Sequence, residues 1–176
     1  MSLRMTRTER EAFLSGVHVG ILSLAEPGRG PLSAPIWYGY DPGGELWIVT
    51  ERESRKGRLL RVGARVSLCA QSEEPPYSYV SVEGPIVSIT PSDVERDERL
   101  LARRYLGSEL GDRYIEATGG AAARGGNVLV RLRPERWLTT DYSKEYASLG
   151  GSPRGGAGAR PFPRGTELLA LLKDPC

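Results

Sequence analysis

Histidine and cysteine are scarce in this chain of 176 residues. The single histidine is His18, and the two cysteines, Cys69 and Cys176, lie far apart, so the sequence lacks the clustered soft ligands of a typical zinc site. Two cysteines also cannot build the disulfide framework of a small secreted domain, which favours a reducing, cytoplasmic location. The sequence therefore predicts a cytoplasmic protein without a catalytic metal.

Long apolar runs and a strong net charge are also missing. No stretch approaches the length of a membrane span, and charged residues fill positions 4–11, where a signal peptide would be hydrophobic. The formal net charge is only +2, which gives no long-range field to attract nucleic acid. We predict that the protein binds neither membranes nor nucleic acid, although a barrel that binds single-stranded nucleic acid remains the weakest alternative.

Short segments with a β-strand pattern dominate the first 140 residues. Six runs rich in β-branched and apolar residues are separated by turn residues, and "DPGG" joins the second and third runs as a hairpin. Gly84-Pro85 marks a predicted bend or bulge in the fifth run. Many short strands favour a closed barrel over an open sheet, because closure removes exposed edges. The predicted strands span residues 17–25, 32–40, 45–50, 65–71, 79–90 and 127–132, with an extension at 137–140.

Helices are predicted between these strands. Thr6 or Thr8 can cap a first helix, and Ser54 can cap a short helix that Gly63 closes. Two later helical stretches, which begin near Pro91 and Ser108, should lie on the barrel surface. We predict one domain followed by a tail that is too rich in Gly and Pro to order itself. The predicted divisions are a domain at 1–149, a flexible linker at 150–165 and a short helix at 166–176.

The segment "VTERESRKGRLLR" places cations at the start of a helix. Arg55 and Lys56 fall in the first helical turn, where the helix dipole disfavours each positive charge by roughly 0.3 to 1 kcal/mol. A bound anion would reverse that cost, and the Ser54 hydroxyl, a guanidinium and an ammonium together suit a phosphate. In the alternative interpretation Glu51 and Glu53 neutralise the cations, and the segment is a solvated turn. The residue types alone leave both interpretations open.

The same segment, continued as "VTERESRKGRLLRVGARVSLCAQ", resembles the pyridoxamine 5'-phosphate oxidase family and its flavin and deazaflavin relatives, in which S-R-K-G follows the third barrel strand. The resemblance extends over residues 17–90 and, more loosely, over 127–137. It implies a mainly β fold with surface helices (α+β), namely a six-stranded split β-barrel of the FMN-binding type. It also implies a homodimer that holds its cofactor at the subunit interface.

The resemblance further implies which residues bind the cofactor. In the family the Arg-Lys pair binds the FMN phosphate. The dipeptide at the end of the preceding strand contacts the flavin, and strand two lines the flavin ring. Tyr79 stands where a later strand of the family contributes a Gln. On this sequence these positions, together with the helix cap, are Ser33, Ala34, Pro35, Ile36, Trp37, Tyr38, Val49, Thr50, Ser54, Arg55, Lys56 and Tyr79.

Several departures separate the chain from true pyridoxamine phosphate oxidases. Ser33 and Tyr38 occupy strand-two positions that carry cations in the family, and no Arg-x-His element lies near the C-terminus. The resemblance therefore implies a different oxidoreductase, which transfers a hydride to or from a small organic substrate. Its cofactor would be FMN or, alternatively, a deazaflavin coenzyme, and no catalytic residue can be named. The alternative is a non-catalytic protein that binds or carries flavin, deazaflavin or heme.

Overall fold

The computed structural model of this chain describes residues 2–118 and 126–148. The predicted linker and the C-terminal helix lie outside the described residues. The helices are α1 (Arg7–Leu14), α2 (Arg55–Leu59), a π-helix (Val94–Arg99) that continues into α3 (Leu100–Leu106), α4 (Ser108–Thr118) and α5 (Ser143–Ser148). The strands are β1 (Gly20–Leu24), β2 (Leu32–Ile36), β3 (Tyr38–Tyr40), β4 (Leu46–Glu51), β5 (Arg65–Gln71), β6 (Ser78–Pro91), β7 (Asn127–Leu132) and β8 (Arg136–Asp141).

The strands form two antiparallel sheets that share β6. The hydrogen-bonded order is β2-β1-β5-β6-β7-β4-β3, and β8 pairs with β6 beside this path. The first half of β6 pairs with β5 and β8, whereas its second half pairs with β7. We call β2, β1, β5 and β8 with the first half of β6 the first sheet, and the remaining strands the second sheet. The predicted mainly β split barrel with surface helices is confirmed.

The structure contains more strand segments than predicted because two of the six predicted strands are divided. The run 32–40 breaks at Trp37 into β2 and β3, which belong to different sheets. The extension beyond Pro134 is the separate strand β8 rather than a continuation of β7. The irregularity predicted at Gly84-Pro85 lies slightly later, between Ile86 and Ser88, where β6 passes to the second sheet.

The core lies between the two sheets and follows from alternating side chains. Leu68, Val80 and Val82 have no exposed surface, and the neighbouring residues on the same strands are partly or fully exposed. Helix α1 packs against this core: Arg10 lies 4.4 Å from the centre of the Trp137 ring. The sequence located the start of α1 correctly, since Thr6 forms a capping box with the third helical residue.

The helices between β6 and β7 contact the barrel at the point where the β1–β2 pairing ends and β3 begins. Extending the β1–β2 register by two residues would pair His18 with Tyr38, but the Tyr105 side chain lies there instead. Its hydroxyl accepts the Tyr38 N–H at 3.1 Å and donates to the His18 carbonyl at 2.7 Å. One phenol therefore replaces the missing hydrogen bonds of the strand pair.

Replacing Tyr105 with phenylalanine is expected to lower the free energy of unfolding by about 2 kcal/mol, because the Tyr38 N–H and the His18 carbonyl both lose their partner. Chemical denaturation measures this difference. The matched control is Tyr142→Phe, which removes the hydroxyl of a tyrosine that is 40% exposed. An equal loss in both variants would contradict the role assigned to the Tyr105 hydroxyl.

None of the described helices combines the length and the apolar composition that crossing a bilayer requires.

Candidate functional site

The S-R-K-G segment forms a tight turn from β4 into α2. Ser54 caps α2 as predicted: its Oγ accepts the Gly57 N–H at 3.1 Å and donates to the Glu51 carbonyl at 2.8 Å. Gly57 is buried, and a Cβ at this position would collide with the carbonyl oxygens of Glu51 and Arg52. Glycine is therefore required here, because the helix lies directly against the backbone that leaves β4.

Helix α2 is shorter than the sequence predicted. It spans five residues, Arg55–Leu59, rather than extending towards Gly63. The Ser54 hydroxyl already accepts the Gly57 N–H, which leaves one fewer backbone donor at the start of α2 for an anion. The Arg55 and Lys56 side chains beside it are both half-buried.

Arg55 forms an ion pair with a residue that the sequence did not associate with it. Its Nη2 lies 2.7 Å from Oε2 of Glu26, whose side chain is only 15% exposed. Arg29 approaches the same carboxylate at 3.8 Å. The hydrogen bond from Arg55 holds the pKa of Glu26 below its usual range, so Glu26 is a carboxylate at neutral pH. A bridging carboxylate and three cations thus define what we call the cationic corner: Glu26, Arg29, Arg55 and Lys56.

A turn in the β1–β2 loop holds Glu26 in place. The Arg29 N–H donates to the Glu26 carbonyl at 3.1 Å, and Pro27 and Gly28 occupy the two central positions. Gly28 has a φ of 75°, which suits glycine and few other residues. The letters "EPGR" predict this turn, but they carry no sign that the loop contacts α2. Glu26 and Arg29 were therefore missed by sequence reasoning.

Ser33 is the predicted strand-two residue that lies close to this corner. It pairs with Ser23 across the β1–β2 hairpin, and the two hydroxyl oxygens are 2.9 Å apart. The next pair, Leu24 and Leu32, is the last before the loop that carries Glu26. The structure therefore brings Ser33 to the end of the hairpin that Arg55 contacts.

Two polar side chains near the end of β4 have no hydrogen-bond partner among the described residues. Lys56 makes no hydrogen bond or ion pair within the part of the chain that the structure describes. Thr50 is 5% exposed, and its Oγ1 is likewise unpartnered there. Burying an unpaired hydroxyl costs free energy, so Thr50 is suited to an added polar partner. Val49, the other predicted strand-end contact, is half-buried and faces the opposite side of β4.

The two aromatic residues that follow β2 pack against other parts of the same chain. Trp37 stacks on Tyr105, with ring centres 5.0 Å apart and an angle of 8° between the rings. Tyr114 lies against the same indole at 5.6 Å. Tyr38 has no exposed surface, and burial raises the pKa of its hydroxyl well above the usual range. These contacts show that Trp37 packs against the helices and that Tyr38 is part of the core.

Tyr79 lies far from β2 within one chain. The order β2-β1-β5-β6 puts three strand spacings, about 14 Å, between them. Ala34 and Ile36 point towards the barrel interior, whereas Pro35 is exposed on the outer face. A single chain therefore does not assemble all of the predicted cofactor-binding residues into one pocket.

The outer face of the first sheet carries a row of uncharged side chains, one from each of its five strands. The strand registers align Pro35, Ile21, Cys69, Ser81 and Leu138 across this face. Ile21 is 40% exposed and Leu138 is 64% exposed. We call these five residues the apolar row. Exposed apolar groups that lie together are typical of a surface that contacts another molecule.

An open cleft of about 500 Å³ lies beyond the C-terminal end of α2. Its lining is mostly apolar and includes two arginines and Asn127, and none of the predicted cofactor-binding residues contributes to it. The cleft is therefore separate from the cationic corner. Its main lining residues are Arg52, Leu60, Arg61, Val62, Ile89 and Val128. Within residues 2–118 and 126–148, no cluster of three or more His, Cys, Asp or Glu side chains is suited to hold a metal ion.

Several solved structures share this architecture. A conserved hypothetical protein from Mycobacterium tuberculosis is 23% identical, with a TM-score of 0.65, and the match covers 91% of this chain and 96% of that chain. An F420 reductase is 22% identical, with a TM-score of 0.51 and coverage of 73% and 94%. An FAD and heme binding protein from Mycobacterium smegmatis is 16% identical, with a TM-score of 0.54 and coverage of 93% and 91%. At these identities the similarity concerns the fold.

Membership of a family follows from the sequence match. No curated protein sequence matches this chain significantly. The family model described as Pyridoxamine 5'-phosphate oxidase matches residues 6–141, which include the S-R-K-G segment, the strands of both sheets and the helices between β6 and β7. The chain belongs to the pyridoxamine 5'-phosphate oxidase family.

Proposed function

We propose that this protein is an oxidoreductase that binds a flavin or deazaflavin and transfers a hydride to or from a small organic substrate. The observation that carries the proposal is the pair Arg55 and Lys56, which follows β4 inside the S-R-K-G segment of a chain that belongs to this family. Two cations held this close together are suited to a phosphate.

The residues at the end of β4 fit a phosphate-bearing cofactor. The Arg55 guanidinium presents its five N–H donors in a fixed plane, a geometry that suits the oxygens of a phosphate. Lys56 adds an ammonium that has no partner in the described ranges. The buried Thr50 hydroxyl, near the end of β4, offers a further polar contact. Ser54 acts by shaping the turn, because both of its hydrogen-bonding roles are already filled.

FMN is the proposed cofactor, and a deazaflavin coenzyme is the alternative. The names of two structural neighbours, an F420 reductase and an FAD and heme binding protein, support a cofactor of this class. When bound, such a ring supplies the hydride chemistry. The protein orients the ring and shields it from water, and the transfer itself needs no acid or base from a side chain.

We also propose that the working molecule is a homodimer with the cofactor at the interface. Tyr79 and Ser33 are too far apart within one chain to touch the same ring, but a second copy can bring its own Tyr79 to the first. The apolar row supplies a surface without charged groups for that second copy. In a two-fold dimer the same surface serves both subunits.

Replacing both Arg55 and Lys56 with alanine is expected to weaken FMN binding at least tenfold, about 1.4 kcal/mol, because both phosphate contacts are lost. Quenching of flavin fluorescence measures the affinity. Riboflavin has the same ring without the phosphate, so its affinity should be unchanged. The matched control replaces Arg52 and Arg61, the two arginines of the separate cleft, with alanine. Unchanged FMN affinity in the first double variant would contradict the proposed site.

A non-catalytic carrier of flavin, deazaflavin or heme is the second candidate. The similarity to an FAD and heme binding protein over 93% of this chain favours it. Turnover of a test acceptor, in the presence of a system that regenerates the reduced cofactor, separates the candidates. An enzyme consumes acceptor over many cycles, whereas a carrier does not pass the hydride to the acceptor and consumes none.

A further inference from the structure

The cationic corner already contains an anion of its own. The Glu26 carboxylate lies 2.7 Å from the Arg55 guanidinium and is mostly buried. A carboxylate and a phosphate both present oxygen acceptors to arginine. An N–H of the guanidinium that donates to the carboxylate is therefore not available to the phosphate at the same time. A phosphate that approaches Arg55 also meets the negative charge of Glu26. The ion pair and phosphate binding are therefore opposed.

Arg29 gives the displaced carboxylate a second partner. Its Nη1 lies 3.8 Å from Oε1 of Glu26, too long for a strong hydrogen bond but close enough for a small movement to form one. The Arg29 side chain is 65% exposed and can follow the carboxylate. Glu26 can thus leave Arg55 without becoming an unpaired, partly buried charge, which would be costly.

We infer that Glu26 competes with the cofactor phosphate for Arg55, and that its transfer to Arg29 accompanies cofactor binding. This inference rests on the proposed function and adds a regulating residue to the same site. Its consequence is a cofactor that is held less tightly than the cations alone would hold it. The cofactor then exchanges with solution, as a diffusible coenzyme does, instead of remaining permanently bound.

The Glu26→Gln variant tests the competition directly. Glutamine keeps the size of the side chain but lacks the charge, so we expect FMN to bind about tenfold more tightly and to dissociate more slowly. Riboflavin affinity should not change. The matched control is Glu53→Gln, which removes an exposed carboxylate from the same turn region. An equal gain in both variants would mean a general charge effect and would overturn the inference.

Arg29→Ala provides a second, independent measurement. Without Arg29 the carboxylate loses the second partner that the structure gives it, so FMN affinity should fall several-fold when Glu26 is present and should be unaffected in the Glu26→Gln background. Such non-additivity is the expected sign of a shared interaction. Additive effects, or weaker FMN binding in Glu26→Gln, would overturn the inference alone. Equal wild-type affinities for FMN and riboflavin would overturn the proposed phosphate site as well.

Discussion

Replacing Gly57 with alanine is expected to lower the free energy of unfolding by about 3 kcal/mol, because the new methyl group has no space and the backbone must shift. The methyl group would meet the backbone carbonyl oxygens of Glu51 and Arg52. Backbone atoms cannot rotate aside as the end of a side chain can. Displacing α2 also moves Arg55 and Lys56, so FMN affinity should fall together with stability. Chemical denaturation and flavin titration measure the two effects.

Gly30→Ala is the matched control for this variant. Gly30 lies in the β1–β2 loop beside the cationic corner, and a Cβ there meets no atom within 4 Å. Stability and FMN affinity should both stay close to those of the wild type. If Gly57→Ala left stability and FMN affinity unchanged, as expected for this control, the close contact between α2 and the end of β4 would be contradicted.

Replacing Leu138 with glutamate is expected to convert the proposed dimer into a monomer. Leu138 is a 64% exposed member of the apolar row, and two-fold symmetry would place two buried, unpaired carboxylates in the interface. Light scattering coupled to size-exclusion chromatography measures the mass directly. Because the proposed site includes the partner's Tyr79, FMN affinity should fall at least tenfold, about 1.4 kcal/mol, in the monomer.

Leu100→Glu controls for the introduced charge. Leu100 is 56% exposed at the start of α3, away from the first sheet, so this variant should keep the mass and the FMN affinity of the wild type. A wild-type protein that is already monomeric would contradict the dimer.

The sequence predicts the local parts of this structure well. Alternating apolar residues locate the strands, because a buried face requires that period. Thr6 and Ser54 are found as helix caps, since a capping side chain acts on residues only three positions away. The S-R-K-G segment also identifies the family correctly.

What the sequence does not predict depends on contacts between distant parts of the chain. The pairing of Glu26 with Arg55 joins residues 29 positions apart, and no local pattern marks either residue as the partner of the other. The break of strand two at Trp37 arises because Tyr105, from a distant helix, takes the place of a strand neighbour. Such features follow from the assembled barrel and not from local preference.

The sharing of β6 between both sheets has a consequence for how the protein loses its structure. The inner residues Val80 and Val82 hold the first sheet, whereas Ile86 and Ile89 of the same strand hold the second. Loss of β6 would remove a strand from both sheets at once. The shared strand couples the stability of the two sheets, so we expect the barrel to unfold as one cooperative unit.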